Sequence, residues 1–310
     1  MFRIIPDTNI NFIGVRRVAF VVSLGLVALG ALGFIQIVTG SANLGIDFSG
    51  GVMLTGWFER PVSIEELRAA LSTEFPDAEI TRVTDFEEEN AFIIKTKGPQ
   101  TEAEAKEMAA GIKTVIEGQI KDNPFNTAGG QENIIGPAVG ESLRKDAQKA
   151  VLLSLLGIIL YIWLRFDFRS GIAATVATFH DVLAVIGIFY ILNLEFDSLI
   201  VTALLTLAGY SLTDTVVVYD RIRENLKKFR TKGEFTSSVN KSINEVLSRT
   251  FNTSITVLFV VGTLFFFGGE VLRNFALALI LGVLVGTYSS IFVASPIVVE
   301  WEARSPKRFK

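Results

Sequence analysis

Six apolar runs, each about as long as a bilayer is thick, constrain this 310-residue chain more than any other feature. An α-helix rises 1.5 Å per residue, so about 20 apolar residues cross a hydrocarbon core. Runs of this kind occupy residues 18–39, 147–164, 171–192, 199–219, 251–268 and 275–299. Lipid offers no water to peptide groups, so each run must be helical and make its backbone hydrogen bonds internally. Composition agrees, because half of the residues are hydrophobic and 25 are phenylalanine, more than one soluble core needs. The expected fold is an all-α polytopic membrane protein of six transmembrane helices.

Basic residues are distributed unevenly between the runs. Arg3, Arg16 and Arg17 precede the first, and Arg165 and Arg169 separate the second from the third. Eight Lys and Arg residues, from Arg221 to Arg249, lie between the fourth and fifth, and Arg304, Lys307, Arg308 and Lys310 form the tail. The alternate links are nearly empty: residues 193–198 carry none, and the turn at Gly269 and Glu270 has only Arg273. The positive-inside rule therefore places both termini in the cytoplasm. Arg144, Lys145 and Lys149 stand on the outer side, after a segment too long for the rule to govern. The first run, flanked by Arg16 and Arg17 and by Gly40, Ser41 and Ala42, has the outline of a secretory signal. Its apolar length exceeds the roughly 7–15 residues of a signal core and points to a retained anchor.

About 100 residues of ordinary soluble composition separate the first two runs. Strand character at 51–58 is followed by a capping box, Ser63 with Glu66, ahead of a helix over 64–75. Strands are expected at 80–83 and 91–96, and Thr101 with Glu104 opens a helix ending near Ile120. A loop at 122–131, with Asn123, Pro124, Gly129 and Gly130, precedes a last strand at 133–135. The order β-α-β-β-α-β predicts a small ferredoxin-like α+β domain outside the membrane. The organisation expected is thus residues 1–40 as cytoplasmic lead and first span, 41–143 as the extracytoplasmic domain, and 144–310 as the remaining spans. Within the basic link at 220–249, Val239, Ile243, Val246 and Leu247 recur at helical spacing. An amphipathic helix along the cytoplasmic face and a solvated basic connector both fit that pattern.

The chain has no cysteine, no phosphate-cradling GxxxxGK[ST], no HExxH and one histidine, His180. Thiolate chemistry, nucleotide hydrolysis and histidine-based metal catalysis therefore lack apparatus, and no enzyme activity, cofactor or metal is expected. A net charge of −3 with segregated basic residues carries no nucleic-acid signature. What remains is a set of ionisable residues in or beside the spans: His180, Asp181, Asp214 and Arg249. An Asp at the centre of a membrane helix costs roughly 2.5–3.5 kcal/mol on insertion scales and is functional by default. Asp214 lies seven residues before Arg221, about 10 Å into the bilayer, and Asp181 lies ten residues beyond Gly171, about 15 Å in. Arg249 opens the fifth run; by itself it fits a positive-inside flank, and it can also reach inward along its stem to pair with Asp214. Burial favours a neutral carboxyl and a nearby guanidinium the ionised one, so relative movement of the two would bind or release a proton. Asp181, with His180, Thr175 and Thr178 in the same run, is expected to hold a helix–helix hydrogen-bond network in preference to a transport role. Gly282 and Gly286 form a GxxxG packing motif, and Gly209 is a third small residue that permits close helix packing.

The stretches GIDFSGG at 45–51, IIGPAVGESL at 134–143, FHDV at 179–182, GYSLTDTVVVYDRIREN at 209–225 and SRTFNTS at 248–254 resemble the SecF family of protein-export membrane proteins. The resemblance covers essentially the whole chain, and the block at 209–225 is its most specific part. It implies an RND-like half-transporter that pairs with SecD in the bacterial cytoplasmic membrane. Such a protein assists the SecYEG translocon in moving unfolded preprotein, driven by the proton-motive force. It further implies that Asp214 and Arg249 belong to the proton pathway, with another carboxylate supplied by SecD, and that the chain corresponds to the form not fused to SecD. Some members use sodium instead of protons. Two other readings fit the intramembrane charges alone: half of an RND-type exporter of lipids or small molecules, and a purely structural translocon assembly subunit.

Overall fold

A computed structural model of the chain describes residues 8–83, 90–98, 101–127, 132–227 and 235–306. Arg3, Gly129, Gly130, Lys307, Arg308 and Lys310, named above, lie outside these residues. Helix α1 (Arg16–Thr39) ends on Gly40 in the left-handed conformation and leads through the short α2 (Ile46–Ser49) into the α+β domain. That domain comprises β1 (Gly51–Phe58), α3 (Ile64–Leu71), β2 (Glu79–Val83), β3 (Ala91–Lys97), α4 (Glu102–Gln119), β4 (Phe125–Asn126) and β5 (Glu132–Ile135). Five long helices follow: α5 (Pro137–Arg165), α6 (Phe168–Ile191), α7 (Ser198–Leu226), α8 (Phe235–Phe267) and α9 (Gly269–Ser289). A π-helical turn at Ser290–Ala294 joins α9 to α10 (Ser295–Arg304). Among the described residues six helical segments are long and apolar enough to cross a membrane, and they coincide with the six apolar runs.

The α+β domain forms where its local signals predict. Ser63 Oγ accepts the Glu66 N–H at 3.1 Å and Thr101 Oγ1 accepts that of Glu104 at 3.2 Å, so both helices start at their capping residues. Helix α3 stops at Leu71, about one turn before the expected end. Pro76 disfavours helical backbone at Phe75, whose ring instead packs on the core. The strands form one antiparallel sheet in the order β2-β3-β1-β4, with β5 also paired to β1, which is ferredoxin-like topology. Strand β4 falls inside the expected loop, because Phe125 turns into the core with its ring 5.1 Å from that of Phe58. Val52, Leu54, Phe92, Ile94, Ile112 and Ile116 fill the space between the sheet and its two helices.

Helix α6 is the hub of the membrane bundle and packs against α1, α5, α7 and α9. Its contact with α1 is backbone to backbone: a Cβ on Gly30 would lie 2.1 Å from Leu183 O, and one on Gly187 would lie 2.7 Å from Gly30 N. Glycine at the crossing allows the two helices to approach this closely. Val239 and Ile243 do not belong to a separate surface helix. They sit on the first turns of α8, which runs unbroken into the fifth span, and are buried in a cluster with Tyr219 and Ile222 of α7. Polar contacts fix this end of the bundle. Arg165 binds Asp220 at 2.6 Å, Arg221 binds Glu245 at 2.6 Å, and the buried Asn225 donates to Ser242 at 2.9 Å and Glu245 at 2.7 Å. Asn244 meanwhile holds Ile10 by both backbone groups, accepting its N–H at 2.8 Å and donating to its carbonyl at 2.9 Å.

At the opposite end the α+β domain rests on the link between α6 and α7. Residues 52 and 54 point into the core, so the alternation of β1 and its register with β3 place Lys95 on the other face of the sheet. From there Lys95 reaches Glu195 at 2.7 Å. Gly45 N donates to Phe196 O at 3.0 Å and Phe196 N to Asn43 O at 2.8 Å, an isolated parallel bridge between the domain's entry segment and the link. Asp197 caps α7 by accepting the Ile200 N–H at 2.9 Å. Burial pushes the Asp197 carboxyl above its ordinary range; the Ile200 bond opposes this, Glu195 and Asp47 add to it, and Lys95 opposes it.

Two outcomes follow. Gly30→Val should cost about 3 kcal/mol, the upper end for overpacking, by forcing α1 off α6, whereas Gly25→Val, with open space at its Cβ, should be near neutral; thermal unfolding of the purified chain separates them. A carboxyl raised in the native state binds more protons than in the unfolded chain, so its contribution improves as pH falls toward the unfolded value. The stability gap favouring Asp197→Asn over wild type should accordingly close as pH is lowered, and thermal midpoints across a pH series read it.

Candidate functional site

Helix α7 carries the costly carboxylate. Its interior contains no proline or charged residue before Asp214, and the Asp197 cap starts it at Ser198. Asp214 is 4% exposed, on the side of α7 that packs against α8. One carboxylate oxygen, Oδ2, is buried without a hydrogen-bond partner. The groups of α8 that act on Asp214 are Thr253 and Arg249. Arg249 is exposed and forms no salt bridge to Asp214, so the guanidinium acts through space. Tyr210, one turn before Asp214, lies beside Ser254 and Thr253, and its hydroxyl is likewise buried and unpartnered. Thr250 Oγ1 on α8 is a third such atom. Buried polar atoms are nearly always satisfied in folded proteins, so these unpartnered oxygens on α7 and α8 set the surroundings of Asp214 apart from an ordinary apolar helix contact.

Asp181 stands in a different environment. It is fully buried and every oxygen is engaged: His180 Nδ1 lies 2.8 Å from Oδ1, while Ser289 Oγ donates to Oδ2 at 2.7 Å and Ser211 Oγ donates to the same oxygen. Thr175 and Thr178 take no part, because their hydroxyls bond back to Gly171 O at 2.9 Å and Ala174 O at 3.1 Å within α6. The carboxylate thus ties α6 to α7 and α9. Ser211 lies one turn before Asp214, and Ser289 immediately precedes the π-helical turn. His180 is 3% exposed with its Nε2 unpartnered.

The packing glycines differ. A Cβ on Gly282 would lie 2.6 Å from Leu207 Cδ1 and one on Gly286 would lie 3.0 Å from Ser211 Cβ, so the GxxxG face of α9 seats directly on α7. Gly209 has nothing within 4 Å. Ser211, Ser289, Tyr210 and Thr253 were not singled out from sequence. As single hydroxyls in apolar runs they carry no spacing signal, and only helix packing brings them to the two carboxylates.

Fold and site define a class: a multi-pass membrane protein with six spans, an α+β domain after the first, and buried ionisable residues on α6 and α7. Comparison with known proteins narrows it. A family model described as "Protein export membrane protein SecD/SecF, C-terminal" matches residues 115–304. A protein translocase subunit SecF from Thermodesulfovibrio yellowstonii is 49% identical over 304 residues, covering 96% of this chain and 97% of that one. The SecF of Vibrio alginolyticus is 39% identical over 97% of this chain and 92% of its own length. A crystal structure of SecDF from Thermus thermophilus, a translocon-associated membrane protein, superposes with a TM-score of 0.79 at 39% identity. It covers 96% of this chain, which spans only 39% of the longer SecDF chain. The chain belongs to the SecD/SecF family of protein-export membrane proteins.

Removing the Asp181 carboxylate leaves Ser211 and Ser289 without their shared acceptor and His180 Nδ1 without its partner. Asp181→Ala should destabilise the bundle by about 1–3 kcal/mol, and Asp181→Asn, which keeps an acceptor oxygen, by less; denaturation in mixed detergent micelles measures both.

Proposed function

We propose that the protein is a non-enzymatic accessory subunit of the Sec export machinery that, with SecD, couples the proton-motive force to the late stages of preprotein translocation through the SecYEG channel. The observation carrying this reading is Asp214: a carboxylate in the apolar interior, one oxygen unpartnered, with Arg249 within electrostatic reach but not bound. A firmly paired carboxylate would hold its charge. A loosely opposed one changes protonation when the guanidinium approaches or withdraws. A proton moved through such a site draws on about 2.3 kcal/mol per 100 mV of membrane potential. The positive-inside pattern supports an orientation with both termini in the cytoplasm and residues 41–143 outside, in which Asp214 is nearer the inner surface.

Support for a SecD partner comes from two directions. The Thermus thermophilus relative carries the matching region within a SecDF chain, of which this chain covers 39%. Helix α7 also presents a row of small exposed residues, Thr202, Thr206, Gly209 and Thr213, beside exposed Thr253 and Thr256 of α8. Each of these threonine hydroxyls bonds to a carbonyl of its own helix, leaving a smooth surface suited to close contact with another helix. A second chain seated there would cover Gly209 and bring a further carboxylate near Asp214.

Asp214→Asn, checked for assembly with SecD, should abolish the gradient-stimulated part of preprotein translocation in inverted vesicles. Collapsing the proton or the sodium gradient separately identifies the ion. Full gradient stimulation in the variant would leave a structural subunit, and unimpaired export without the protein would leave a small-molecule or lipid exporter.

A further inference from the structure

The α+β domain touches the membrane bundle through α2 on α5 and β2 on α9, and its polar contacts gather on the link before α7 and on the first turn of that helix. Asp47, from the entry segment of the domain, accepts both the backbone N–H of Ser198 at 3.1 Å and its hydroxyl through a single oxygen. Asp197 accepts the Ile200 N–H. Two carboxylates therefore satisfy N–H groups at the positive end of the α7 dipole, and one of them belongs to the other domain. Three residues upstream, Glu195 binds Lys95 of β3, with its side chain 11% exposed and that of Lys95 27%. A pair this dehydrated is held more firmly than a surface ion pair, and losing one partner strands the other charge. Lys97, also on β3, donates to Asn43 at 2.7 Å, and Asn43 donates in turn to Asn193 O at 3.2 Å. The space is tight: a Cβ on Gly45 would lie 2.9 Å from that of Asp197.

These anchors sit on rigid elements at both ends. Lys95 belongs to a strand hydrogen-bonded on both sides, opposite Met53 of β1 and Glu79 of β2. Helix α7 is unbroken from Ser198 to Leu226 and contains no proline. Sixteen residues separate Ser198 from Asp214, about 24 Å of continuous helix. A shift or tilt imposed at the first turn is therefore delivered along α7 toward Ser211 and Asp214, while α8, which carries Arg249, makes none of the contacts at this end and is tied to α7 by side-chain bonds beyond Asp214, at Arg221 and Asn225.

We propose that Asp47, Lys95 and Glu195 are positioning residues of the Asp214 site: they lock α7 to the α+β domain, so that displacement of the domain moves Asp214 relative to Arg249, and the reverse. This rests on the ion-coupling reading of Asp214. It assigns the domain a mechanical part in that coupling, delivered through the sheet and one ion pair.

The test uses the full chain assembled with its partner in vesicles. Lys95→Glu and Glu195→Lys should each lower the gradient-stimulated fraction of translocation by roughly fivefold or more. Each should also shift the pH at which a hydrophobic carbodiimide labels Asp214, with Asp214→Asn as the labelling blank. The double exchange, Lys95→Glu with Glu195→Lys, should restore both readouts, which a general loss of folding would not allow. Asp47→Ala should act in the same direction without touching the ion pair. Single variants that insert and assemble yet keep the wild-type response and labelling pH overturn the proposal, as does a double exchange that restores neither. If Asp214→Asn loses the gradient response while Lys95→Glu keeps it, only the link fails; if Asp214→Asn keeps it, the ion-coupling reading fails and the link with it.

Discussion

One carboxylate, Asp181, joins three of the helices around which the membrane bundle is built. Its contacts to Ser211 and Ser289 set the rotation of α7 and α9 against α6. The GxxxG face of α9 and the glycine crossing of α1 on α6 then allow the helices to close around that network. In lipid, where apolar surfaces have no preference for one another over acyl chains, such polar ties and small-residue contacts are what make one packing arrangement preferred. The rotation they impose on α7 turns Asp214 toward α8 and leaves the row from Thr202 to Thr213 facing outward.

The two intramembrane aspartates then divide by environment. Asp181 has a hydrogen-bond partner for each oxygen and is fixed among three helices, which suits structure. Asp214 has an oxygen with none, lies near the helix carrying Arg249, and is one turn from the fixed Ser211. Helix α7 is tied at three levels: Asp181 of α6 accepts from Ser211 near its middle, Asp47 and Asp197 bind its start, and Arg165, Glu245 and Ser242 meet its end.

Much of this was legible before any coordinate. Run length gave the spans, and capping residues gave the starts of α3 and α4, because both are decided within a few residues of chain. Pro76 and Phe125 show where local reading falls short: one ends a helix early, and the other draws a strand out of an expected loop because its ring has a place in the core. The stripe at Val239 and Ile243 was readable as helical, but not that the helix continues unbroken into the fifth span. Asp214 could be named from its cost in lipid, and Arg249 from its place at the mouth of the next span and from the family resemblance. The hydroxyls around them could not, since a serine in an apolar helix has no signature apart from its neighbours.

The sequence by itself determined that the chain crosses a membrane six times, carries a ferredoxin-like domain after the first crossing and spends its costliest charges at Asp181 and Asp214. Hydrophobic length, strand and helix periodicity and the price of a buried charge are properties of short segments, independent of what they touch. Only the tertiary structure decided which aspartate is saturated and which is left open, that Arg249 stands near Asp214 without binding it, and that the α+β domain grips the first turn of α7. Those outcomes depend on helix rotation and on contacts between residues such as Asp47 and Ser198, or Lys95 and Glu195, that lie 100 or more positions apart. No local pattern encodes such distances; packing does.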